Sequence, residues 1–108
     1  MTKPSLSVVL PMYNEEGNIP LLIPALESYL KKICSDYEII AVENGSRDNT
    51  LKLMKEYAKG NKKIKVKHLD YGNYGRAIRF GFSNASMEYV VYMDSDLPFS
   101  VRYIGEAL

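Results

Sequence analysis

The sequence has no tryptophan, one cysteine and one histidine among its 108 residues. A single cysteine, Cys34, excludes an internal disulfide and a cysteine-based metal site, and we expect it to be a small apolar side chain. The longest apolar runs are a few residues long, far below the roughly 20 that a membrane-spanning helix needs. No basic segment leads into an apolar one at the start, so we expect no secretory signal and a reducing, cytoplasmic location.

Glycine and proline are also scarce, with seven and five residues, and 46% of the residues are hydrophobic. These proportions exclude collagen, low complexity and disorder, so residues 1–108 are expected to form a single domain.

The net charge is +1, but residues 52–79 hold nine basic and two acidic side chains. This segment either faces an anionic ligand or is a solvated helix and strand. The second interpretation is favoured, and no nucleic-acid partner is expected, because the lysines lack interleaved aromatic residues.

Apolar segments alternate with amphipathic ones along the chain. The predicted strands are residues 5–10, 37–43, 64–69 and 88–93, and the predicted helices are residues 18–33, 49–59 and 76–85. Asn18 and Asp48 are expected to cap the first two helices, and Pro24 indicates either a bend in the first helix or a start near Ile23. The alternation predicts right-handed crossovers, a mostly parallel sheet and helices on both faces, which is a three-layer α/β/α Rossmann-like fold. Lysines alternating along residues 64–69 indicate an edge strand.

Polar clusters follow every predicted strand, at residues 11–16, 43–48, 70–76 and 94–96. Ligands of parallel α/β sheets bind at these carboxyl ends, so we expect a site there. Asp94 and Asp96 are one residue apart after an apolar strand, where two carboxylates can converge on one Mg²⁺ or Mn²⁺ ion. An acidic, solvated turn is the alternative interpretation of this pair.

The other clusters allow both binding and structural roles. Glu43 can accept a hydrogen bond from a ribose hydroxyl, and Asn44 can pair with the edge of a base, but residues 44–48 can equally form only a turn and a helix cap. Arg76 in the first turn of a helix suits a phosphate. His68 is expected to pack or to be exposed rather than to be catalytic. No catalytic Ser-His-Asp order, P-loop, zinc spacing or dinucleotide-binding glycine pattern is present.

Three segments in order, VVLPMYNEEGNI, EIIAVENGSRDNT and AIRFGFSNASMEYVVYMDSD, resemble the amino-terminal half of family 2 glycosyltransferases of the GT-A fold. The dolichyl- or polyprenyl-phosphate sugar synthase branch is the most similar. The resemblance implies a glycosyltransferase that binds a UDP- or GDP-sugar with Mg²⁺ or Mn²⁺ and transfers the sugar with inversion. The implied acceptor class is a polyprenyl or dolichyl phosphate.

The resemblance also implies roles for particular residues. The donor substrate is expected to contact Pro11, Tyr13, Asn14, Glu15, Glu43, Asn44, Ser46, Arg76, Asp94, Ser95 and Asp96. Of these, Asp94 and Asp96 would hold the metal and act in catalysis. Asn44 stands where the family usually has a second aspartate, which leaves the choice between uracil and guanine open. Asn73 and Tyr74 replace a common glycine and lysine, which shifts the phosphate contact to Arg76.

Residues 1–108 are therefore expected to be the nucleotide-sugar-binding part of a truncated GT-A domain that lacks the acceptor-binding half. Association with a membrane, at its cytoplasmic face, would come only through the acceptor or through segments outside this chain. Two alternatives differ in chemistry. One is a non-catalytic nucleotide-binding module. The other is a Mg²⁺-dependent phosphatase with Asp94 as nucleophile and Asp96 as general acid, which is less favoured because the aspartate pair comes last in the fold.

Overall fold

The computed structural model describes residues 3–70 and 73–93. Its elements are β1 (Ser5–Met12), α1 (Ile19–Ile33), β2 (Asp36–Asn44), α2 (Thr50–Lys59), β3 (Ile64–Leu69), α3 (Tyr74–Ser83) and β4 (Tyr89–Tyr92). Each corresponds to a predicted element, and no boundary differs from its prediction by more than two residues. Within the described ranges no helix is long and apolar enough to cross a membrane.

The four strands form one sheet in the order β3-β2-β1-β4, and every neighbouring pair is parallel. The prediction of a mostly parallel sheet is confirmed, and so is the edge position of β3. The register aligns Met12 with Glu43 and Glu43 with His68. The carboxyl ends of β1, β2 and β3 therefore meet at one edge of the sheet, and the loops that follow them start side by side.

The two faces of the sheet carry separate apolar clusters, as the alternation of side chains along a strand requires. Leu6, Val8 and Leu10 of β1 face one way and pack with the buried residues of α1 and with Met54 of α2. Val9 faces the other way and packs with Ala77 of α3. The predicted three-layer arrangement is confirmed, with α1 and α2 on one face and α3 on the other.

Helix α1 starts after Asn18, as predicted, and contains Pro24. Asn18 occupies the N-cap position but its side chain makes no capping hydrogen bond; its amide instead donates to the Glu15 carboxylate over 2.8 Å. The helix runs through Pro24 without starting again at Ile23. The carbonyl left without a partner by Pro24 belongs to Pro20, in the exposed first turn of the helix. Water can reach that carbonyl, so the proline is tolerated there.

Near the amino-terminal ends of the strands, a buried carboxylate of β2 contacts three other segments of the chain. Glu38 of β2 is 2% exposed and accepts hydrogen bonds from the Ser7 hydroxyl of β1 (2.6 Å) and the Ser86 N–H before β4 (2.6 Å). Lys65 Nζ of β3 completes the set at 2.5 Å. Burial raises the pKa of Glu38, but the bonds from Lys65, Ser7 and Ser86 outweigh it and bring the pKa down to about 2.

Candidate functional site

The loop after β1 is built around Asn14, whose backbone is left-handed with φ of 51°. Asparagine tolerates this conformation better than most residues. The Asn14 N–H donates to the Ser46 hydroxyl over 3.0 Å, and the Asn14 side-chain oxygen accepts from the Arg47 N–H over 2.9 Å. This reciprocal pair joins the loops after β1 and β2. Tyr13, next to it, leaves 48% of its surface exposed at this edge.

Asp48 and Thr50 hold the rest of the β1 loop. The Glu15 N–H donates to the Thr50 hydroxyl over 2.8 Å, and the Glu16 N–H donates to Asp48 Oδ2 over 3.3 Å. Asp48 Oδ1 also accepts from the Thr50 N–H over 3.0 Å. Asn49, rather than Asp48, is the N-cap residue, and its side chain makes no capping bond. The prediction that Asp48 is the N-cap residue is therefore wrong by one position; Asp48 instead ties the start of α2 to the loop after β1.

Glu43 closes β2 as a buried carboxylate that is 1% exposed. One of its oxygens accepts a hydrogen bond from the Ser46 N–H, and the other lies 2.5 Å from His68 Nδ1. Gly45 has φ of 74°, a left-handed conformation that glycine adopts without strain, and it turns the chain so that Ser46 folds back over Glu43. Glu43 thus shapes the loop from its inner side.

Asn44 points to the opposite face from Glu43, because adjacent strand residues alternate. Its side-chain oxygen accepts from the Asn73 N–H over 3.2 Å. Asn73 in turn caps α3, since its side-chain oxygen accepts from the Arg76 N–H over 3.0 Å. The third loop is thereby joined to the second. Arg76 is exposed in the first turn of α3.

The structure therefore gathers many of the predicted donor-site residues at one edge. Pro11 is buried near the carboxyl end of β1. Asn14 and Glu15 follow β1, and Asn44 and Ser46 lie at and after the end of β2. Asp94, Ser95 and Asp96 lie outside the described residues. Met93, which precedes them in sequence, donates its N–H to the Val9 carbonyl over 3.2 Å beside β1. Residues 3–70 and 73–93 contain no group of three or more metal-ligating side chains.

Sequence reasoning did not connect His68 with the site. His68 was expected to pack or to be exposed, and it is exposed, but its ring also contacts Glu43 and lies 3.0 Å from Asp70 Oδ1. Because side chains alternate along β3, His68 lies on the same face of the sheet as Ile64, and this much could have been predicted from the sequence. That Glu43 is the neighbour of His68 depends on the register between β2 and β3, which the sequence of one strand does not contain.

A parallel sheet between two helical layers, with hydrogen-bonded loops at its carboxyl edge, defines a Rossmann-like domain of the kind that binds ligands at that edge. The chain belongs to glycosyl transferase family 2, whose family model matches residues 7–108. Its solved structural neighbours are GT-A glycosyltransferases, so the expected GT-A fold is confirmed.

Particular relatives make the resemblance quantitative. The chain is 39% identical over 95 residues to an undecaprenyl-phosphate 4-deoxy-4-formamido-L-arabinose transferase of Pectobacterium atrosepticum, an alignment that covers 86% of this chain and 29% of that one. Residues 1–349 of S. aureus TarS in complex with UDP give a TM-score of 0.73 at 28% identity, covering 85% of this chain and 27% of that one.

A third relative was solved with a metal. Glucosyl-3-phosphoglycerate synthase of Mycobacterium tuberculosis, in complex with Mn²⁺, UDP and glucosyl-3-phosphoglycerate, gives a TM-score of 0.67 at 26% identity and covers 93% of this chain and 38% of that one.

The chain spans under a third of the length of the curated relative from P. atrosepticum.

Proposed function

We propose that residues 1–108 are the nucleotide-sugar-binding part of a family 2 glycosyltransferase and that the loops after β1, β2 and β3 hold the donor. The observation that carries this proposal is the joining of these three loops by hydrogen bonds at the carboxyl edge of the sheet. A UDP-sugar is favoured over a GDP-sugar, because TarS and the M. tuberculosis synthase, at 28% and 26% identity, were each solved with UDP.

The side chains at this edge divide into those that face the donor and those that shape the loops. Tyr13 offers a half-exposed aromatic face to the base. The side-chain oxygen of Asn44 accepts from the Asn73 N–H, so Asn44 contributes its side-chain N–H₂ group as a donor to the edge of the base. Asn14 and Ser46 set the loop conformation through their mutual bonds. Arg76, at the start of α3, supplies a positive charge and a helix N-terminus to the diphosphate.

The donor set for a metal consists of Asp94 and Asp96, with Ser95 between them. Carboxylate oxygens are the ligands that Mg²⁺ and Mn²⁺ prefer, and both ions keep positions for phosphate oxygens, so these residues fit the expected cofactor. When bound, the ion would neutralise charge on the leaving nucleoside diphosphate.

The reaction class is sugar transfer by displacement at the anomeric carbon. The bond from this carbon to the diphosphate breaks through an oxocarbenium-like transition state, and the diphosphate leaves with the electron pair. An acceptor oxygen attacks the opposite face of the anomeric carbon, so its configuration is inverted.

Similarity to an undecaprenyl-phosphate sugar transferase supports a polyprenyl phosphate as acceptor. A phosphate monoester is already anionic near pH 7, so such an acceptor needs no strong general base. The lipid would bring the protein to the membrane surface.

Calorimetric titration with UDP and GDP, in MnCl₂ and in EDTA, tests the donor site. UDP should bind more tightly in MnCl₂ by about tenfold, equivalent to about 1.4 kcal/mol. Asp94→Asn combined with Asp96→Asn should abolish the difference between MnCl₂ and EDTA, whereas Glu88→Gln, an exposed carboxylate before β4, should leave it unchanged. Equal weak heats in both conditions for both nucleotides would refute the donor site. Tighter binding of GDP would change only the nucleotide.

A further inference from the structure

The ring of His68 lies between two carboxylates. Its Nδ1 is 2.5 Å from Glu43 Oε1, and its Nε2 is 3.0 Å from Asp70 Oδ1. The two partners differ in environment, because the Glu43 side chain is 1% exposed and that of Asp70 is 89% exposed. His68 therefore joins a buried group of β2 to a solvated group at the end of β3.

This arrangement favours the doubly protonated form of the ring. A neutral imidazole has one N–H and one lone pair, so it can donate to only one of the two carboxylates and would direct its lone pair at the other. Both contacts are favourable together only when both nitrogens carry a proton. The geometry thus suits an imidazolium, whose hydrogen bonds to carboxylates are charge-assisted and stronger than neutral ones.

Glu43 transmits this contact to the loop after β2. The oxygen that His68 does not contact accepts from the Ser46 N–H, and the Ser46 hydroxyl accepts from the Asn14 N–H over 3.0 Å. A continuous chain of hydrogen bonds therefore runs from His68 on the edge strand to the loop after β1.

We infer that His68 is a positioning residue for nucleotide-diphosphate binding, which as an imidazolium holds the Glu43 carboxylate and, through Ser46, the shape of the donor loops. The inference rests on the proposed function, because it assumes that these loops bind the donor. His68 acts through Glu43 and is not placed in contact with the donor.

The charges around His68 give the direction of its pH dependence. The hydrogen bond to Glu43, together with the attraction of Glu43 and Asp70, raises the pKa of His68 above its usual value despite some desolvation. Helix α2 packs on β3, and its one acidic residue is Glu56. Glu56 forms no ion pair with His68, whose ion-pair partners among the described residues are Glu43 and Asp70. The imidazolium contacts are therefore present at low pH and are lost as pH rises through the raised pKa. Donor binding should weaken over the same interval.

The experiment uses the fact that His68 is the only histidine in the sequence. Imidazole ¹⁵N NMR as a function of pH then reports the protonation of His68 without assignment. Calorimetry with UDP and MnCl₂ follows on the wild-type chain and on His68→Asn and His68→Ala between pH 5.5 and 8.5. Asparagine places an N–H donor where Nδ1 lies but does not titrate. Lys62→Gln, which removes an exposed positive charge from the turn before β3, is the control for net charge.

The informative quantity is the ratio of wild-type to His68→Asn affinity, because titration of UDP and of the metal ligands cancels in it. We expect the ratio to be about fivefold at low pH, the lower end of typical coupling between sites, and to approach one as His68 deprotonates in the NMR titration. His68→Ala should bind more weakly than His68→Asn, and Lys62→Gln should keep the wild-type pH profile. Thermal unfolding checks that each variant folds, and the comparison with asparagine suffices if alanine does not.

Different failures have different meanings. A ratio that stays constant with pH while the wild type binds UDP, or a ring that is singly protonated at pH 5.5, would overturn the role of His68 and leave the proposed function in place. No binding of UDP or GDP to the wild type at any pH would overturn the proposed function, and this inference with it.

Discussion

Replacing Glu38 by glutamine tests the buried carboxylate of β2 that contacts β1, β3 and the segment before β4 near the amino-terminal ends of the strands. Glutamine keeps the size of the side chain but removes its charge and turns one acceptor into a donor. That donor would face the Ser7 hydroxyl, the Ser86 N–H or the Lys65 ammonium, all of which donate to Glu38 in the structure. The variant therefore loses charge-assisted bonds at a site that water does not reach.

The pKa of Glu38 gives the expected magnitude. Lowering it from 4.5 to about 2 on folding corresponds to about 3 kcal/mol of stability at neutral pH. Because the folded pKa is below the unfolded one, this contribution is complete above pH 4.5 and is lost as pH falls toward 2. At pH 3 it should have decreased to about 1.5 kcal/mol by the same linkage. We expect Glu38→Gln to lower the free energy of unfolding by about 3 kcal/mol at pH 7 and by about half of that at pH 3.

Urea unfolding followed by far-ultraviolet circular dichroism at the two pH values measures both differences. Glu88→Gln, which neutralises an exposed carboxylate just before β4, is the matched control and should change stability by less than about 0.5 kcal/mol. A Glu38→Gln effect as small as that of the control would contradict the reasoning. So would an effect of equal size at pH 7 and pH 3, because it would mean that the charge of Glu38 does not stabilise the fold.

Two further variants or treatments probe the packing of the sheet. Gly81 of α3 lies so close to β1 that an added Cβ would overlap the methyl groups of Val9, so Gly81→Ala should destabilise the fold by about 2 kcal/mol in urea unfolding. The control is Gly17→Ala, because no atom lies within 4 Å of a Cβ added at Gly17. Equal effects of the two substitutions would contradict the close packing of α3 on β1. Cys34 is buried, and burial raises the pKa of its thiol. The folded protein should therefore react with an aromatic disulfide reagent at pH 8 at least about tenfold more slowly than the protein unfolded in urea. Equal rates would show that the thiol is accessible in the folded protein.

Local sequence patterns were sufficient for the elements of this fold. The alternation of lysine with apolar residues in Ile64–Leu69 predicted an edge strand, and the strand and its position are both observed. Patterns within single helices were less reliable at their ends. Asn18 has the right residue type for a cap, but its side-chain N–H₂ donates to Glu15 and its oxygen makes no capping bond, an arrangement set by a neighbour that propensity does not express.

The candidate site was predicted in outline because strand ends are visible in the sequence and parallel strands bring them to one edge. The functions of individual side chains within the site were less accessible. Asp48 was expected to cap α2, but the N-cap residue is Asn49, and Asp48 accepts a hydrogen bond from the Glu16 N–H in the loop after β1. That contact joins residues 32 positions apart, and no periodicity within either segment contains it.

By itself, the order of residues determined the alternation of strands and helices, the polar character of each strand end and the membership of the chain in its family, since these depend on local spacing and on composition. Only the tertiary structure decided which polar groups are partners. The register of β2 against β3 sets His68 beside Glu43, and the turn at Gly45 returns Ser46 to the same carboxylate. Such pairings arise from long-range strand alignment, in which a shift of one residue would direct each side chain to the other face.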